Sequence, residues 1–213
     1  DVLDITPSDQ PIPFDIIDEK HAYAFEDIVM KKLEDLGFDF WWIDWQQGGH
    51  AGGLPGKEEN PTIWLNHLRG TNHIRRNEDI RALVLGRFGG LGNHRYQFGF
   101  SGDVSVLNWS NLAYQPYFTF TASNVAYGYW SHDIEGPGND LELYIRWLQW
   151  GAWSGVLRMH DRGMSAGGCI LDPITCSVVE PFKLPFKYAN ANRIVLRDRI
   201  RYIPYTYTAL RQA

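Results

Sequence analysis

Two aspartates stand where a carboxylate could do chemistry. Residues 38–43 read Phe-Asp-Phe-Trp-Trp-Ile, an apolar and aromatic run with the character of a buried strand, which ends abruptly at Asp44. A carboxylate at the carboxyl end of a buried strand is costly to desolvate unless something pairs with it. In parallel α/β folds that end is also where ligands bind and catalytic groups sit. The functional reading is a catalytic carboxylate at Asp44. The plain alternative, equally compatible with this stretch, is that Asp44 only caps the loop that follows. Asp103 comes after Ser101-Gly102 at the end of a weaker strand near 96–100. Two acids flanking a tryptophan-rich pocket are what glycoside hydrolysis requires: one attacks or stabilises the anomeric carbon, the other protonates the leaving oxygen. Arg87 and His160, at two further strand ends, would bind sugar hydroxyls or stabilise the charge of the attacking group. Taken alone the pair is ambiguous, because Gly-Asp after a strand is common in ordinary loops.

The composition narrows the classes. With 213 residues and 44% hydrophobic content, one domain with a single core is possible. Nine Trp raise the aromatic share to 15%, and many lie near the ends of expected strands rather than within helices. Aromatic rings there suit the C–H faces of sugars, although aromatic residues are more often simply core. A net charge of −5 with acids and bases intermixed, and no basic run, argues against a nucleic-acid partner. No apolar stretch is long enough to span a bilayer, so no membrane partner is expected. The chain starts at Asp1 with neither an initiator Met nor a signal-like segment, and is expected to be a mature product or a piece of something longer. Cys169 and Cys176 fall in one loop at a spacing that is no metal motif, and they could bridge. His67, His73 and His94 are not at ligand spacing, so neither a metal nor another cofactor is expected. His50 and Glu58-Glu59 read as solvated loop.

The elements that must position these groups follow a strand-then-helix rhythm. A Pro-rich lead-in to Asp18 is followed by a helix from about 20 to 36, capped by Asp18 and ended by Gly37. Further helices are expected over 62–76, 108–124, 139–150 with Asn139 as N-cap, and 190–210, where Pro204 should force a kink or a break. Strands are expected at 38–43, 81–86, 96–100, 126–131 and 155–159. Such alternation favours a parallel sheet with right-handed crossovers. A doubly wound sheet binds at one switch point, whereas a (β/α)8 barrel gathers every strand end around one pocket. Strand ends bearing Asp44, Arg87, Asp103, Asp133 and His160 fit the barrel better. A whole barrel has eight strands and usually about 250 residues, so residues 1–213 read as a single region covering its last five strands, strands 4 to 8.

Several ordered motifs carry a resemblance across 23–210. They are Trp42-Ile43-Asp44, then Gly86-Arg87-Phe88-Gly89-Gly90, then Phe100-Ser101-Gly102-Asp103, then Asp133-Ile134-Glu135-Gly136. After these come Arg146-Trp147-Leu148-Gln149-Trp150-Gly151-Ala152-Trp153, Arg158-Met159-His160, and the segment from Arg199 to Thr208. This series resembles glycoside hydrolase family 31, the retaining α-glucosidase and α-xylosidase group. The resemblance implies that Asp44 is the nucleophile and Asp103 the acid/base. It implies substrate contacts from Trp42, Arg87, Phe100, Asp133 and His160, with a carbohydrate as substrate. For Asp133 an ion pair with Arg158 or another strand-end Arg is the structural alternative. For the chain as a whole the alternative is a domain that binds carbohydrate without cleaving it, or is merely structural. Three departures stand out. Trp45-Gln46-Gln47-Gly48 replaces the Met-Asn-Glu or Gly-Glu frequent after the nucleophile, Phe100 stands where Trp is usual, and His132 precedes Asp133 where a small residue is frequent. The family's first three barrel strands have no counterpart here, so another polypeptide segment is expected to supply them.

Overall fold

A computed structural model of the chain describes residues 15–44, 61–87, 91–96, 98–102, 108–134, 140–160 and 181–212. The first helical rod has three consecutive parts: α1 (Glu19–Ala24), a π-helical turn (Phe25–Met30) and α2 (Lys31–Asp35). Asp18 caps it as expected, its carboxylate accepting the His21 N–H at 2.9 Å. Gly37, at φ +106°, turns the chain out of the rod, a conformation that favours a residue without Cβ. There follow β1 (Trp41–Ile43), α3 (Pro61–Arg75) with proline at its first position, β2 (Val84–Arg87), and β3 (Phe98–Phe100). The chain continues through α4 (Trp109–Ser123), β4 (Trp130–Ser131), α5 (Leu141–Ala152) and α6 (Phe186–Gln212).

Among the described residues the three strand pairings are parallel, and the order β1-β2-β3-β4 follows the chain without reversal. Each crossover therefore adds its strand beside the previous one. That is how a barrel wall grows, and it leaves no switch point. A fifth segment continues the wall through isolated parallel bridges, Ser131 to Val156 and Ile134 to Met159, rather than through a full ladder. The architecture is α/β, a parallel sheet of the TIM-barrel type with helices on its outer face.

Side-chain alternation sorts the wall into two faces. Toward the helices point Ile43 and Val84, which pack with Ile16, Ala22 and Leu65 in one core. Farther along, Ile134 packs with Leu143, Tyr144, Trp147 and Leu148 in a second core, which Leu157, Met159, Val195 and Leu196 extend. Outside the first core the rod and α3 are tied by charge. Buried Glu26 accepts from Arg69 Nε at 2.5 Å and from Asn72 Nδ2 at 2.7 Å, while Arg76 Nη1 reaches Glu34 at 2.7 Å. Desolvation raises the pKa of Glu26 above the ordinary carboxylate value, against the pull of Arg69.

Several details depart from the sequence expectations, among them the late starts of β1 and β2, at Trp41 and Val84 rather than 38 and 81. The strand expected from 126 begins only at Trp130, because the C-terminal turn of α4 extends through Ala126, whose φ is +63° and whose N–H bonds Ser123 O at 3.1 Å. The N-cap of α5 is Asp140, not Asn139: its Oδ1 accepts the Leu143 N–H at 3.0 Å. The last helix begins at Phe186, earlier than expected. It also runs through Pro204 without a break; a proline removes one backbone donor, and the turns on either side carry the helix across that single gap. The cysteines, His50 and Glu58-Glu59 lie outside the described residues.

Candidate active site

Strand parity decides which side chains meet. Trp42 and Asp44 share one face of β1. Trp41 lies on the other, beneath the helices, with its Nε1 donating to Glu34 at 2.9 Å and Arg69 stacked 4.9 Å from its ring. The register pairs Arg87 with Phe100 and Phe100 with Ser131, which puts Arg87 and Phe100 on the Trp42 face. Asp133, Arg158 and His160 follow by the same alternation, while His132 and Met159 turn outward to the helices. Six of the seven candidate residues, Asp44, Trp42, Arg87, Phe100, Asp133 and His160, are thereby gathered on one face at the carboxyl ends of the strands. The seventh, Asp103, lies outside the described residues, as do Glu135 and Gly136.

Two ion pairs on this face lie among the described residues. In the first, Arg87 Nη1 donates to Asp44 Oδ1 at 2.8 Å; the arginine side chain is 7% exposed and the aspartate 27%. Arg87 also lies over Gly102. A Cβ built there would sit 2.6 Å from Arg87 Nε and 2.8 Å from Nη2, and Gly102 has φ +76°. Space and backbone conformation both demand glycine at this position. One buried guanidinium therefore touches the nucleophile candidate and the residue just before the acid/base candidate.

In the second pair, Arg158 Nη2 donates to Asp133 Oδ1, and the Asp133 side chain is fully buried. His160 Nε2 lies 3.9 Å from Asp133 Oδ2, and the Asp133 N–H donates to Ser101 Oγ at 3.0 Å. The ion-pair alternative for Asp133 is thus what the structure displays. Arg158 Nε and Nη1 are buried and make no hydrogen bond among the described residues.

Aromatic rings join the pairs. The Arg158 guanidinium stands 4.7 Å from the Trp42 ring and 5.1 Å from that of Phe100. Trp42 meets Phe100 edge-on at 5.6 Å and His160 at 6.1 Å. Trp42 is 45% exposed, whereas Phe100 is fully buried and forms the floor beneath it. Ser101, which fixes the backbone at Asp133, and the cation–π role of Arg158 escaped the reading of residues. Ser101 lies in Phe100-Ser101-Gly102-Asp103 and Arg158 in Arg158-Met159-His160, but only the register shows what each touches.

His132 occupies the outer side of β4. Its Nε2 accepts from Trp150 Nε1 at 2.9 Å, so its Nδ1 carries the proton and donates to Gln115 Oε1 at 2.9 Å. Burial drives its pKa down to about 4. Among the described residues no group of three His, Cys, Asp or Glu could hold a metal ion, and no helix is long and apolar enough to cross a membrane.

A parallel wall of barrel type with charged side chains clustered at its carboxyl ends defines the class, since barrel enzymes build their sites there. Residues 6–209 match the glycosyl hydrolases family 31 TIM-barrel domain, and the chain belongs to that family. It is 25% identical over 202 residues to an alpha-xylosidase of Saccharolobus solfataricus, an alignment covering 84% of this chain and 26% of the relative. It is 27% identical over 138 residues to neutral alpha-glucosidase AB of Sus scrofa, covering 62% of this chain and 13% of that protein. Among solved structures, a family-31 dextranase of Flavobacterium johnsoniae complexed with isomaltotriose superposes with a TM-score of 0.75 at 22% identity, over 97% of this chain and 28% of the dextranase. At that identity the likeness is one of fold. The chain spans about a quarter of the length of that xylosidase and that dextranase.

Proposed function

We propose that this chain is the catalytic part of a family-31 barrel, its last five strands, 4 to 8, and that the complete protein is a retaining α-glycosidase, α-glucosidase-like in the sugar it takes. The observation that carries the reading is Arg87, which joins Asp44 to the backbone one residue before Asp103. Asp44 attacks the anomeric carbon as the glycosidic bond breaks, and Asp103 gives its proton to the departing oxygen. A covalent glycosyl-aspartate forms. Asp103, now a base, takes a proton from water, and that water's oxygen attacks the anomeric carbon and frees Asp44. The scheme requires Asp44 ionised and Asp103 protonated at the start. Trp42 offers its exposed ring to a sugar face, while Arg158 and His160, with the buried Asp133 behind them, form a polar wall for hydroxyl groups. The names of the relatives, an alpha-xylosidase and an alpha-glucosidase, support α-linked substrates. The remaining barrel strands come from another polypeptide segment.

The test is a cyclitol epoxide or aziridine offered to the longest natural form of the protein. Covalent label on Asp44, together with loss of aryl α-glycoside hydrolysis in Asp44→Asn, is the expected result. Saturable sugar binding with no label would leave a carbohydrate-binding domain instead, and near-full activity in Asp44→Asn would remove Asp44 from its role.

A further inference from the structure

We propose that Arg199, on α6 in the outer helical layer, is a positioning residue for the Arg158–Asp133 pair. Its guanidinium clamps the turn between α5 and the fifth strand segment and so fixes the register at which Arg158 and His160 reach the inner face. The kinetic part of the test below rests on the proposed function; the exchange part does not.

A helix ends with carbonyls that have no partner within the helix. At the end of α5, Arg199 Nη1 donates to Ala152 O at 2.7 Å and to Ser154 O at 2.8 Å, and Nη2 donates to Gly155 O at 3.3 Å. One planar fork thus holds three carbonyls of a four-residue turn, which the single ammonium of lysine could not do with the same geometry. Burial lowers the pKa of Arg199 from the usual guanidinium value, as expected of a charge placed among backbone groups.

The turn leads directly into the site. The next residue, Val156, donates its N–H to Trp130 O at 3.1 Å, and His160 donates its own to Ile134 O at 3.0 Å. Because side chains alternate, a slip by one residue would send Arg158 and His160 outward and bring Leu157 and Met159 inside. Leu157 and Met159 resist that slip by packing against the second core. The segment nevertheless meets β4 through isolated bridges rather than a continuous ladder. Its start therefore needs an outside anchor, and Arg199 supplies it.

Arg199→Met and Arg199→Lys would be made in the full-length protein and compared with Arg158→Met and the Arg158→Met/Arg199→Met double variant. In Arg199→Met, amide exchange at 155–160 is expected to quicken at least about 10-fold, with β1 to β3 unchanged. Well below the unfolding transition, kcat/KM is expected to fall by about 10-fold, with no further loss once Arg158 has already been replaced. Arg199→Lys should fall between wild type and Arg199→Met, and it decides the matter if Arg199→Met does not fold. Unchanged exchange at 155–160, or kinetic losses that multiply in the double variant, would overturn the assignment. If the wild-type protein cleaves no α-glycoside, the functional reading fails and the exchange result alone judges the clamp.

Discussion

Arg87 donates to Asp44 at 2.8 Å from a side chain far more buried than the carboxylate it holds. The pair is not a surface contact that solvent would screen away. The arginine is fixed by its strand and by Gly102, so the carboxylate is aimed at a set point. Replacing Arg87 with Met should lower kcat/KM by about 100-fold, close to 3 kcal/mol of transition-state stabilisation. Arg87→Lys should recover only part, because a point charge does not reproduce the planar fork. Steady-state kinetics on an aryl α-glycoside decide it; a loss confined to KM would show that Arg87 binds substrate without orienting Asp44.

Gly102 gives a second handle on the same geometry. An alanine there must tolerate φ +76° and must push its Cβ into a guanidinium 2.6 Å away. The backbone conformation alone costs roughly 1 to 2 kcal/mol for a residue with Cβ. The expected outcome for Gly102→Ala is a modest drop in the thermal midpoint with a larger drop in kcat/KM, since Arg87 must move. Equal activity at a lowered midpoint would mean that the site does not depend on where Arg87 lies.

His132 makes stability depend on pH in a defined window. Its folded pKa is about 4, from burial, against a reference value of 6.5. Between those values the unfolded chain binds the extra proton and the folded chain does not, so stability falls as pH drops from 6.5 toward 4. The full loss is about 3 kcal/mol on the scale of 1.36 kcal/mol per pH unit. Protonation would also set an Nε2–H against the Trp150 donor. Urea unfolding at pH 7 and pH 4.5 should therefore show a pH dependence that flattens in His132→Gln. An unchanged dependence in that variant would assign the acid sensitivity to other groups.

The sequence conveyed the plan of the wall better than its margins. The run 38–43 announced a strand, and once that strand is in place parity from Asp44 puts Trp42 inward and Trp41 under the helices, as the contacts of each ring display. Local signals set that pattern. Strand starts were harder, because Ala126 to Tyr129 is apolar enough for a strand, yet the left-handed turn at Ala126 belongs to the end of α4. Two adjacent cap-forming residues, Asn139 and Asp140, cannot be ranked by type, and the bond to Leu143 selects Asp140. The partner of Asp133 depends on a residue 25 positions away, and that contact exists only once the register is set. The sequence offered this ion pair only as one alternative for Asp133, and local patterns could not choose it over a contact with substrate.

The last prediction concerns completeness. Among the described residues β1 pairs with β2 alone, and the fifth segment bridges only β4. At the β1 side Phe38, Phe40 and Trp42 are each about half exposed, at 53%, 50% and 45%. Apolar, aromatic edges of parallel strands are templates for pairing with other chains, and natural proteins cover them or close them into a barrel. The 213 residues alone should therefore associate or aggregate in solution, and should hydrolyse α-glycosides poorly, because the site would be open along one side. Supplying the segment that carries the remaining barrel strands should restore a discrete species and activity together. Size-exclusion chromatography with light scattering, run beside an aryl α-glycoside assay, tests both halves. A well-behaved monomer of the 213 residues with full activity would refute the prediction, since its pocket would then need nothing beyond the wall formed by β1 to β4 and the fifth segment.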